Sequence, residues 1–584
     1  MTQLPHEPYL SDTFVSRYAD RQPPFQGAGL GEFVYTRTYS RWLPDHGRRE
    51  YWHETVRRTV EESISLYSGP ATRESLSQEA EQLYDAVWSL RLFPSGRSLW
   101  IAGTDSSRKF SEAHFNCAFS VMDDLEKLSD LFLLLMVGTG FGFRVLPGDV
   151  AKFPDFRTDL DVEHAPYVPV EKAKRREQTW VGIDQDTATM TVLVGDSKEG
   201  WVSALRTLLD TLRSDSPHPG LRRIVLNYNS VRPQGERLNT FGGRASGPEA
   251  LRQILAKVAK VVRASSGQLN TVDVLDICNV IGEGVVCGGV RRTSQIGIGS
   301  PGDRDFLKAK ADGWYNDPDL GHRSMSNNSI MFEERPDYPE FAALMERVRK
   351  SDNGEPGILN AGAARQRRPW FDGVNPCGEV LLSDCGMCNL STVNVKAHVE
   401  DGFLDHTGLM NSIRLATRVG LRMTNVDMSL PRWNATQKRD RLIGVSMTGW
   451  MDALDSFEGG DVVSRLGDGV SYGESPTQLL SSMRREATEE AAEYAAEMRV
   501  PVPLLVTTVK PEGSLSQLPS VSSGVHRPWA PYFVRRVRIS AADPLARTML
   551  YMDYPIYPEV GQWDSGESDP WAALDRFRAM NPAG

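Results

Sequence analysis

The chain has 584 residues, of which 40% are hydrophobic and 24% are charged, so its composition is that of an ordinary folded protein, not of a collagen-like or disordered one. Its 66 Lys and Arg against 76 Asp and Glu give a net charge of −10, which leaves no overall positive field to attract nucleic acid. The apolar run 131–137 is too short to span a membrane and the N-terminus lacks a signal-peptide pattern, so a cytoplasmic protein is predicted.

Two helices are predicted near the start of the chain. Trp52, Val56, Val60 and Ile64 recur every four residues, with charged residues between them, and this spacing places them on one helix face within 48–68. A second helical pattern covers 77–91. We therefore expect residues 1–90 to form a small helical cap.

Beyond the cap, short β-branched or apolar runs alternate with helical patterns. Strands are predicted over 222–233, 441–449 and 503–511, and helices over 245–264 and 476–498. This alternation is typical of parallel strands joined by crossover helices, so the predicted class is α/β. The segment 458–476 mixes Gly, Ser and Asp without a period and is predicted to be a flexible loop.

The six cysteines do not form the framework of a disulfide-rich protein. Asn375, Cys377 and Glu379 stand at alternate positions, so an extended segment would project an amide, a thiol and a carboxylate from one face; a turn with an incidental core thiol fits the same letters. The pair Cys385 and Cys388 is typical of half a zinc site or of a redox pair, but no second ligand pair with suitable spacing accompanies it. Cys278 and Cys287 have apolar neighbours and are predicted to be core thiols.

Several separated motifs carry a family resemblance. NPCGE (375–379), CNL (388–390), FNCAF around Cys117 and VKPEGSLSQLP (509–519) resemble the large catalytic chain of ribonucleotide reductases. Further segments are similar to the monomeric, adenosylcobalamin-dependent ribonucleoside-triphosphate reductases: EFVYTRTYSRWL (32–43), RPQGERLNTFGGRASGPE (232–249), GGVRRTSQI (288–296), SNNSIMF (326–332) and PYFVRRVRIS (531–540).

The resemblance implies a fold and a reaction. The fold is a ten-stranded α/β barrel of the ribonucleotide reductase and glycyl radical enzyme type, which would occupy residues 91–584 with regulatory insertions. The implied reaction is the reduction of ribonucleoside triphosphates to 2′-deoxyribonucleoside triphosphates, DNA precursors, by a thiyl radical that adenosylcobalamin initiates. No structural metal site is implied.

The resemblance also implies roles for five residues of the ribose site. Cys377 would carry the thiyl radical, Glu379 would accept the 3′-hydroxyl proton, and Asn375 would hydrogen-bond the sugar. Cys117 and Cys388 would reduce the 2′ carbon and end as a disulfide. Cys385 would then be either a bystander or a thiol that exchanges with this disulfide.

Two glycine- and serine-rich segments are candidates for nucleotide contacts. Gly513, Ser514 and Ser516 follow a strand-like run and precede a predicted helix, where backbone N–H groups could hold phosphate, although a simple serine N-cap has the same letters. The resemblance to the family favours phosphate binding over a simple N-cap, and it adds Ser98 as a further candidate phosphate contact. The segment VGTGFGF (137–143) lacks the spacing of a dinucleotide fingerprint and is predicted to be a close-packing glycine turn beside the active site.

The resemblance implies two partners besides the substrate. One is a deoxynucleoside triphosphate effector near Arg291 and Arg292, which could equally be ordinary salt-bridge residues. The other is thioredoxin or a small dithiol as reductant. Relatives continue past the segment that ends this chain with more barrel and a cysteine-bearing tail, so we expect a separate C-terminal polypeptide, a truncated chain, or direct reduction by a dithiol.

Two other functions remain as alternatives. A reductase that uses a separate radical-generating subunit normally carries adjacent tyrosines, which the segment ARTMLYMDYPIYPEV lacks. A truncated or split fragment acting as a nucleotide-binding regulator would not need Asn375, Cys377 and Glu379 together.

Overall fold

A computed structural model describes residues 7–26, 29–236, 245–287, 290–291, 293–311, 313–351, 353–457, 461–465, 471–528 and 530, together with 548, 549, 551, 552, 554 and 556. Parts of the family resemblance, namely 237–244, Arg292 and 531–540, lie outside the described residues. Of Arg291 only the backbone is described.

The α-helices of the described residues are α1 (Asp12–Ala19), α2 (Leu30–Val34), α3 (Trp52–Ser65), α4 (Arg73–Trp88), α5 (Gly96–Ile101), α6 (Asp105–Lys109), α7 (Leu125–Met136), α8 (Pro147–Val150), α9 (Lys198–Leu212), α10 (Glu249–Ala264), α11 (Thr271–Gly284), α12 (Arg304–Lys308), α13 (Tyr338–Ser351), α14 (Ala361–Arg367), α15 (His406–Met423), α16 (Pro431–Asp440), α17 (Trp450–Leu454) and α18 (Pro476–Met498). Within the described ranges, no helix has both the length and the apolar character needed to cross a membrane.

The strands are β1 (Trp42–Leu43), β2 (Arg48–Arg49), β3 (Leu92–Pro94), β4 (Cys117–Val121), β5 (Gly140–Arg144), β6 (Asp161–His164), β7 (Trp180–Asp184), β8 (Thr189–Leu193), β9 (Arg223–Asn227), β10 (Val286–Cys287), β11 (Val290–Arg291), β12 (Gln295–Gly299), β13 (Ser326–Phe332), β14 (Gly357–Asn360), β15 (Gly373–Val374), β16 (Leu381–Leu382), β17 (Gly386–Asn394), β18 (Val399–Glu400), β19 (Phe403–Asp405), β20 (Ile443–Thr448), β21 (Val462–Arg465) and β22 (Ser471–Glu474).

The main sheet has eight strands within the described residues, in the order β14-β13-β12-β5-β4-β17-β20, with β3 also paired to β17. The strands from β14 to β4 are all parallel. β17 runs antiparallel to β4 and parallel to β20, so the sheet consists of two parallel halves that meet at an antiparallel pair. The helices that cross between parallel neighbours confirm the predicted α/β class.

The two faces of this sheet pack against different groups of residues. Phe141 and Phe143 of β5 point into a core formed with helices α7, α9, α10 and α11. On the opposite, inner face, Phe119, Ile296 and Ile298 pack against the segment 371–382. A chain segment thus lies on the inner face of the sheet, and this segment carries the candidate catalytic residues.

The N-terminal helices match their predictions with one shift. The predicted stripe of Trp52, Val56, Val60 and Ile64 is the buried face of α3. The second helix begins at Arg73, earlier than expected, because the Thr72 side chain accepts a hydrogen bond from the Ser75 N–H at 3.2 Å and caps it. Both helices share a core with α15 and α18. The boundary at residue 90 stays a prediction.

Two predictions in the second half of the chain are wrong in part. Within 503–511 only Thr507 forms a β-bridge, to Val445 of β20, and the flanking Val506 and Thr508 hydrogen-bond to Val445 without forming a regular strand. The segment 458–476, predicted to be a flexible loop, contains the antiparallel pair β21 and β22 in its described part. Burial of Val462 and pairing of β21 with β19 stabilise this hairpin, and neither is visible in the local sequence.

Candidate active site

A short hairpin carries three of the candidate residues over the inner face of the sheet. Its strands β15 and β16 pair antiparallel, and residues 375–380 connect them. Glycines in β5 let the hairpin approach, because a Cβ on Gly142 would lie 2.0 Å from the Val374 carbonyl oxygen and one on Gly140 would lie 3.2 Å from Pro376. The prediction of a close-packing glycine turn over 137–143 is therefore right about the close packing, but Gly140 and Gly142 lie in strand β5 and not in a turn.

The connection of this hairpin is a turn, not the extended segment that the alternation of residues suggested. Gly378 at its centre has a φ of 74°, which favours glycine. Asn375 is fully buried and holds the turn through its Oδ1, which accepts the Val380 N–H at 3.0 Å. The Cys377 side chain is exposed at the tip. Amide, thiol and carboxylate still lie near one another, because the Glu379 carboxylate raises the pKa of Cys377 and the Asn375 side chain lowers the pKa of Glu379.

Cys117 and Cys388 are brought together by the strand register. They are direct partners in the antiparallel pairing of β4 with β17. The neighbouring Cys388 thiol lowers the pKa of Cys117, and the neighbouring Cys117 together with burial raises the pKa of Cys388. The Asn375 Nδ2 also donates to the Cys117 sulfur, at 3.3 Å. Cys117 is thus the more easily ionised thiol of the pair.

The thiol of Cys377 is in a different electrostatic state. Partial desolvation by the surrounding protein, together with the nearby Glu379 carboxylate, raises the pKa of the Cys377 thiol to about 12. The thiol therefore stays protonated at neutral pH. Burial also raises the pKa of Glu379, while its hydrogen bond with Asn375 and the charge of Lys510 lower it. The Glu379 Oε2 is buried, and no hydrogen-bond partner for it is found among the described residues. This oxygen is available to accept a proton from a substrate hydroxyl.

Cys385 does not share this site. Its sulfur lies 3.8 Å from the Ser120 hydroxyl and belongs to the core on the outer face of the sheet, with Met387. Cys388 belongs to the inner-face cluster. Because Cys385 lies in the turn before β17, with a φ of 54°, and packs into a different core from Cys388, the bystander interpretation of Cys385 is favoured over thiol exchange. Cys278 is a fully buried core thiol, as predicted, and the side chain of Cys287 lies outside the described residues.

The candidate phosphate segment does not form the predicted helix. A single 3-10 turn covers Leu515–Gln517, and Pro519 prevents its extension. Gly513 and Ser514 are exposed, and the Ser514 side chain makes no capping hydrogen bond. Ser516 is buried and its hydroxyl pairs with that of Ser523 at 3.0 Å. The exposed backbone and hydroxyl of the first two residues are the better placed donors.

Ser98 lies on a neighbouring element. Its hydroxyl pairs with that of Ser95 at 3.0 Å in the first turn of α5, and its side chain is buried. Tyr39 connects this helix to the phosphate segment, since its ring would lie 3.1 Å from a Cβ on Gly96 and burial together with Glu512 raises its pKa. The two candidate segments are therefore close, although Ser98 would have to break its bond with Ser95 to contact a ligand.

Two charged residues beside this site were not assigned from the sequence. Lys510 and Glu512 belong to the VKPEGS motif, and both act electrostatically on Glu379. A lysine and a glutamate two residues apart, directly after a strand-like run, are the signal that could have pointed to them.

Comparisons with known proteins agree with this arrangement. Three family models match the chain: ribonucleotide reductase alpha domain over residues 10–104, the insertion domain of B12-dependent ribonucleotide reductase over 168–262, and ribonucleotide reductase barrel domain over 341–458. The second of these includes strands β7 to β9, which belong to the smaller sheet β6-β9-β8-β7.

Curated relatives and a solved structure match most of the chain. An adenosylcobalamin-dependent ribonucleoside-triphosphate reductase of Lactobacillus acidophilus is 32% identical over 94% of this chain and 80% of its own length. The enzyme of the same name from Lactobacillus leichmannii is 31% identical over 92% and 78%. The crystal structure of a B12-dependent, class II ribonucleotide reductase superposes with a TM-score of 0.77 and 28% identity, covering 95% of this chain and 82% of that one.

Proposed function

The chain belongs to the family of adenosylcobalamin-dependent ribonucleoside-triphosphate reductases, and from this premise we propose that it reduces ribonucleoside triphosphates to 2′-deoxyribonucleoside triphosphates. One observation carries the assignment of the site. Three thiols and a carboxylate meet on the inner face of the sheet: the directly paired Cys117 and Cys388, and the hairpin residues Cys377 and Glu379. A ribose reduction needs a hydrogen-atom carrier, a base and two reducing thiols, and this set supplies all of them.

The residues present fit adenosylcobalamin as the source of the radical. When bound, this cofactor supplies an organic radical that removes a hydrogen atom. Cys377 is the residue that would face it, because its side chain is exposed at the tip of the hairpin while Cys388 is buried. The raised pKa of Cys377 keeps the S–H bond from which a hydrogen atom can be taken.

The chain's own residues then carry out separate steps of the reaction. The Cys377 thiyl radical takes the 3′ hydrogen, so a C–H bond breaks and an S–H bond forms. Glu379 accepts the 3′-hydroxyl proton as the 2′-hydroxyl leaves as water, with a proton delivered by the Cys117–Cys388 pair. The two thiols give up two electrons and become a disulfide; one of their hydrogens leaves with the water and the other bonds to the 2′ carbon. Cys377 returns its hydrogen atom to the 3′ carbon, and Glu379 returns the proton to the 3′ oxygen. Asn375 orients the site through its bonds to Cys117 and Val380.

The nucleotide contacts belong to the same proposal. Gly513 and Ser514 would donate hydrogen bonds to the triphosphate. The buried Ser516 and Ser98 are the further candidates for this phosphate site. A deoxynucleoside triphosphate effector and thioredoxin or another dithiol are the expected partners. A dithiol is needed because each turnover leaves the Cys117–Cys388 pair oxidised.

The test is a reconstitution with purified chain. Adenosylcobalamin, a ribonucleoside triphosphate and dithiothreitol are expected to yield the deoxynucleotide without any other protein, and the diphosphate should react more slowly. The Cys377→Ala variant is the matched negative control. Absence of deoxynucleotide and of cysteine oxidation in the wild-type protein, with cofactor and substrate both bound, would contradict the proposal.

A further inference from the structure

A buried cation lies beside the hairpin. The Lys510 ammonium is 3.0 Å from the Glu512 Oε1 and 3.2 Å from the Thr392 hydroxyl, and the Lys510 side chain is 11% exposed. Glu512 is itself buried and accepts a hydrogen bond from Thr392. Both partners of Lys510 are therefore fixed, and its charge is held in one place.

The backbone directs this cation towards the hairpin. The Thr508 hydroxyl donates to the Glu379 carbonyl oxygen at 2.8 Å, so the Thr508 side chain contacts the hairpin. The chain is extended here, because residues 506–508 bond to β20 and the Lys510 N–H donates to the Ser446 hydroxyl at 3.0 Å. Residues two apart in an extended chain share a face, so Lys510 points to the same side as Thr508.

Several titratable or charged groups surround Glu379, and Lys510 is the cation that acts on it directly. Its neighbours come from the hairpin, from β4, from β17 and from the segment after α18 that pairs with β20: Cys377, Cys117, Cys388, Lys510 and Glu512. Arg97 acts on Cys117 from α5, and Tyr39 faces Glu512. Without Lys510, two carboxylates would share a partly dry site, where one of them would bind a proton.

We propose that Lys510 is a positioning residue for the reaction: its ammonium group offsets the charge of Glu512 and Glu379, so that Glu379 meets the substrate as a carboxylate able to accept the 3′-hydroxyl proton. This inference rests on the proposed function. It adds a residue that touches neither the reacting carbon nor the radical, and that acts through the general base.

A purely structural ion pair is the competing interpretation. Replacing a buried pair by neutral groups of similar size is often harmless to stability, whereas removing one partner is costly. Stability measurements alone would therefore not separate the two interpretations. The ionisation of Glu379 does separate them, because a structural pair has no reason to control it.

The first experiment follows kcat/KM against pH. Lys510→Met should move the acidic limb to higher pH, the direction expected when an opposite charge is removed from the surroundings of Glu379. Glu512→Gln should move it to lower pH, because it leaves the lysine charge unbalanced. Lys350→Met, which removes an exposed lysine of α13, is the matched control and should leave the limb in place.

The double variant gives the decisive outcome. Lys510→Met together with Glu512→Gln removes both charges, and the limb should return towards its wild-type position. If both single variants lose activity equally at every pH, with the limb unmoved, Lys510 is structural and the inference is wrong. Should Lys510→Met fail to fold, the shift in Glu512→Gln alone decides, since this variant keeps the shape of the side chain.

A second readout does not depend on turnover. The infrared band of the protonated Glu379 carboxyl, identified by its loss in Glu379→Gln, can be titrated in the resting protein. Lys510→Met should shift this titration to higher pH in parallel with the limb. An unshifted titration overturns the inference even in an active enzyme, whereas a wild-type protein that makes no deoxynucleotide overturns the proposed function.

Discussion

Cys117 and Cys388 are direct register partners on two antiparallel strands, so their side chains lie next to each other. The pair lies on the inner face of the sheet, and Asn375 donates a further hydrogen bond to Cys117. The lowered pKa of Cys117 would make it the better leaving group when an external dithiol reduces a disulfide between the two.

Oxidation should be confined to this pair. After one turnover without reductant, the wild-type protein is expected to lose two thiols, and Cys388→Ser none. Cys385→Ser is the matched control, because Cys385 lies on the other face of the sheet, and it should behave as the wild type in both thiol loss and steady-state rate with dithiothreitol. A lower steady-state rate in Cys385→Ser than in the wild type would instead show that Cys385 takes part in thiol exchange.

Cys377→Ala should abolish both deoxynucleotide formation and hydrogen exchange between substrate and cofactor. The reason is that an alanine has no S–H bond from which the radical can be formed. Cys278→Ala removes an equivalent sulfur from the core and should retain activity. Product formation by Cys377→Ala would show that the radical is carried elsewhere.

Gly142→Ala should lower kcat by about 10²-fold, the usual consequence of displacing catalytic groups by about 1 Å. Its new Cβ would lie 2.0 Å from the Val374 carbonyl oxygen, so the hairpin must move away from β5. Gly148→Ala is the control, since nothing lies within 4 Å of its Cβ position. Equal kcat values for the two variants, measured at saturating substrate, would show that the hairpin tolerates the displacement.

Ser514→Ala should raise the KM for the triphosphate by about tenfold, the size expected for one hydrogen bond to a charged group, while kcat changes little. Ser520→Ala, another exposed serine just beyond the 3-10 turn, should leave KM unchanged. An unchanged KM in Ser514→Ala would show that the Ser514 hydroxyl does not contact the triphosphate.

Glu79→Gln should destabilise the protein by about 3 to 5 kcal/mol, because it leaves the fully buried Arg422 without its carboxylate. Burial alone would raise the pKa of Glu79, but Arg422 and Arg418 lower it below its ordinary value. This stabilisation is therefore present above the unfolded-state pKa and is lost as the pH falls through the folded-state pKa. Urea unfolding at neutral and acidic pH measures both effects.

The control for this last prediction is Glu81→Gln, an exposed position on the same helix. It should change the free energy of unfolding by less than about 0.5 kcal/mol. A similar small change in Glu79→Gln would mean that the contact between the N-terminal helices and α15 does not depend on this ion pair.

Much of the local structure followed from the sequence. The four-residue recurrence of Trp52, Val56, Val60 and Ile64 is a property of one helix, and α18 has the bounds that its pattern predicted. The motifs around Cys377, Cys117 and Ser514 indicated the family and its reaction, because each motif is a short stretch of sequence that can be recognised without its tertiary contacts. The extent of the pairing around Thr507 was not predictable in this way.

The site itself needed the tertiary structure. Sequence spacing placed Cys385 beside Cys388, but Cys385 lies in the turn before β17 and packs into the outer-face core, whereas Cys388 packs into the inner-face cluster. The pairing of β4 with β17, not the spacing, selects Cys117 as the partner of Cys388.

The sequence by itself determined which chemical groups this protein carries and where its regular helices form, because side-chain identity and backbone periodicity are local. Only the tertiary structure decided which groups meet and how they ionise. Strand register joins residues distant in the chain, and burial beside Glu512 and Lys510 sets the charge environment of Glu379. Both depend on contacts that no local pattern contains.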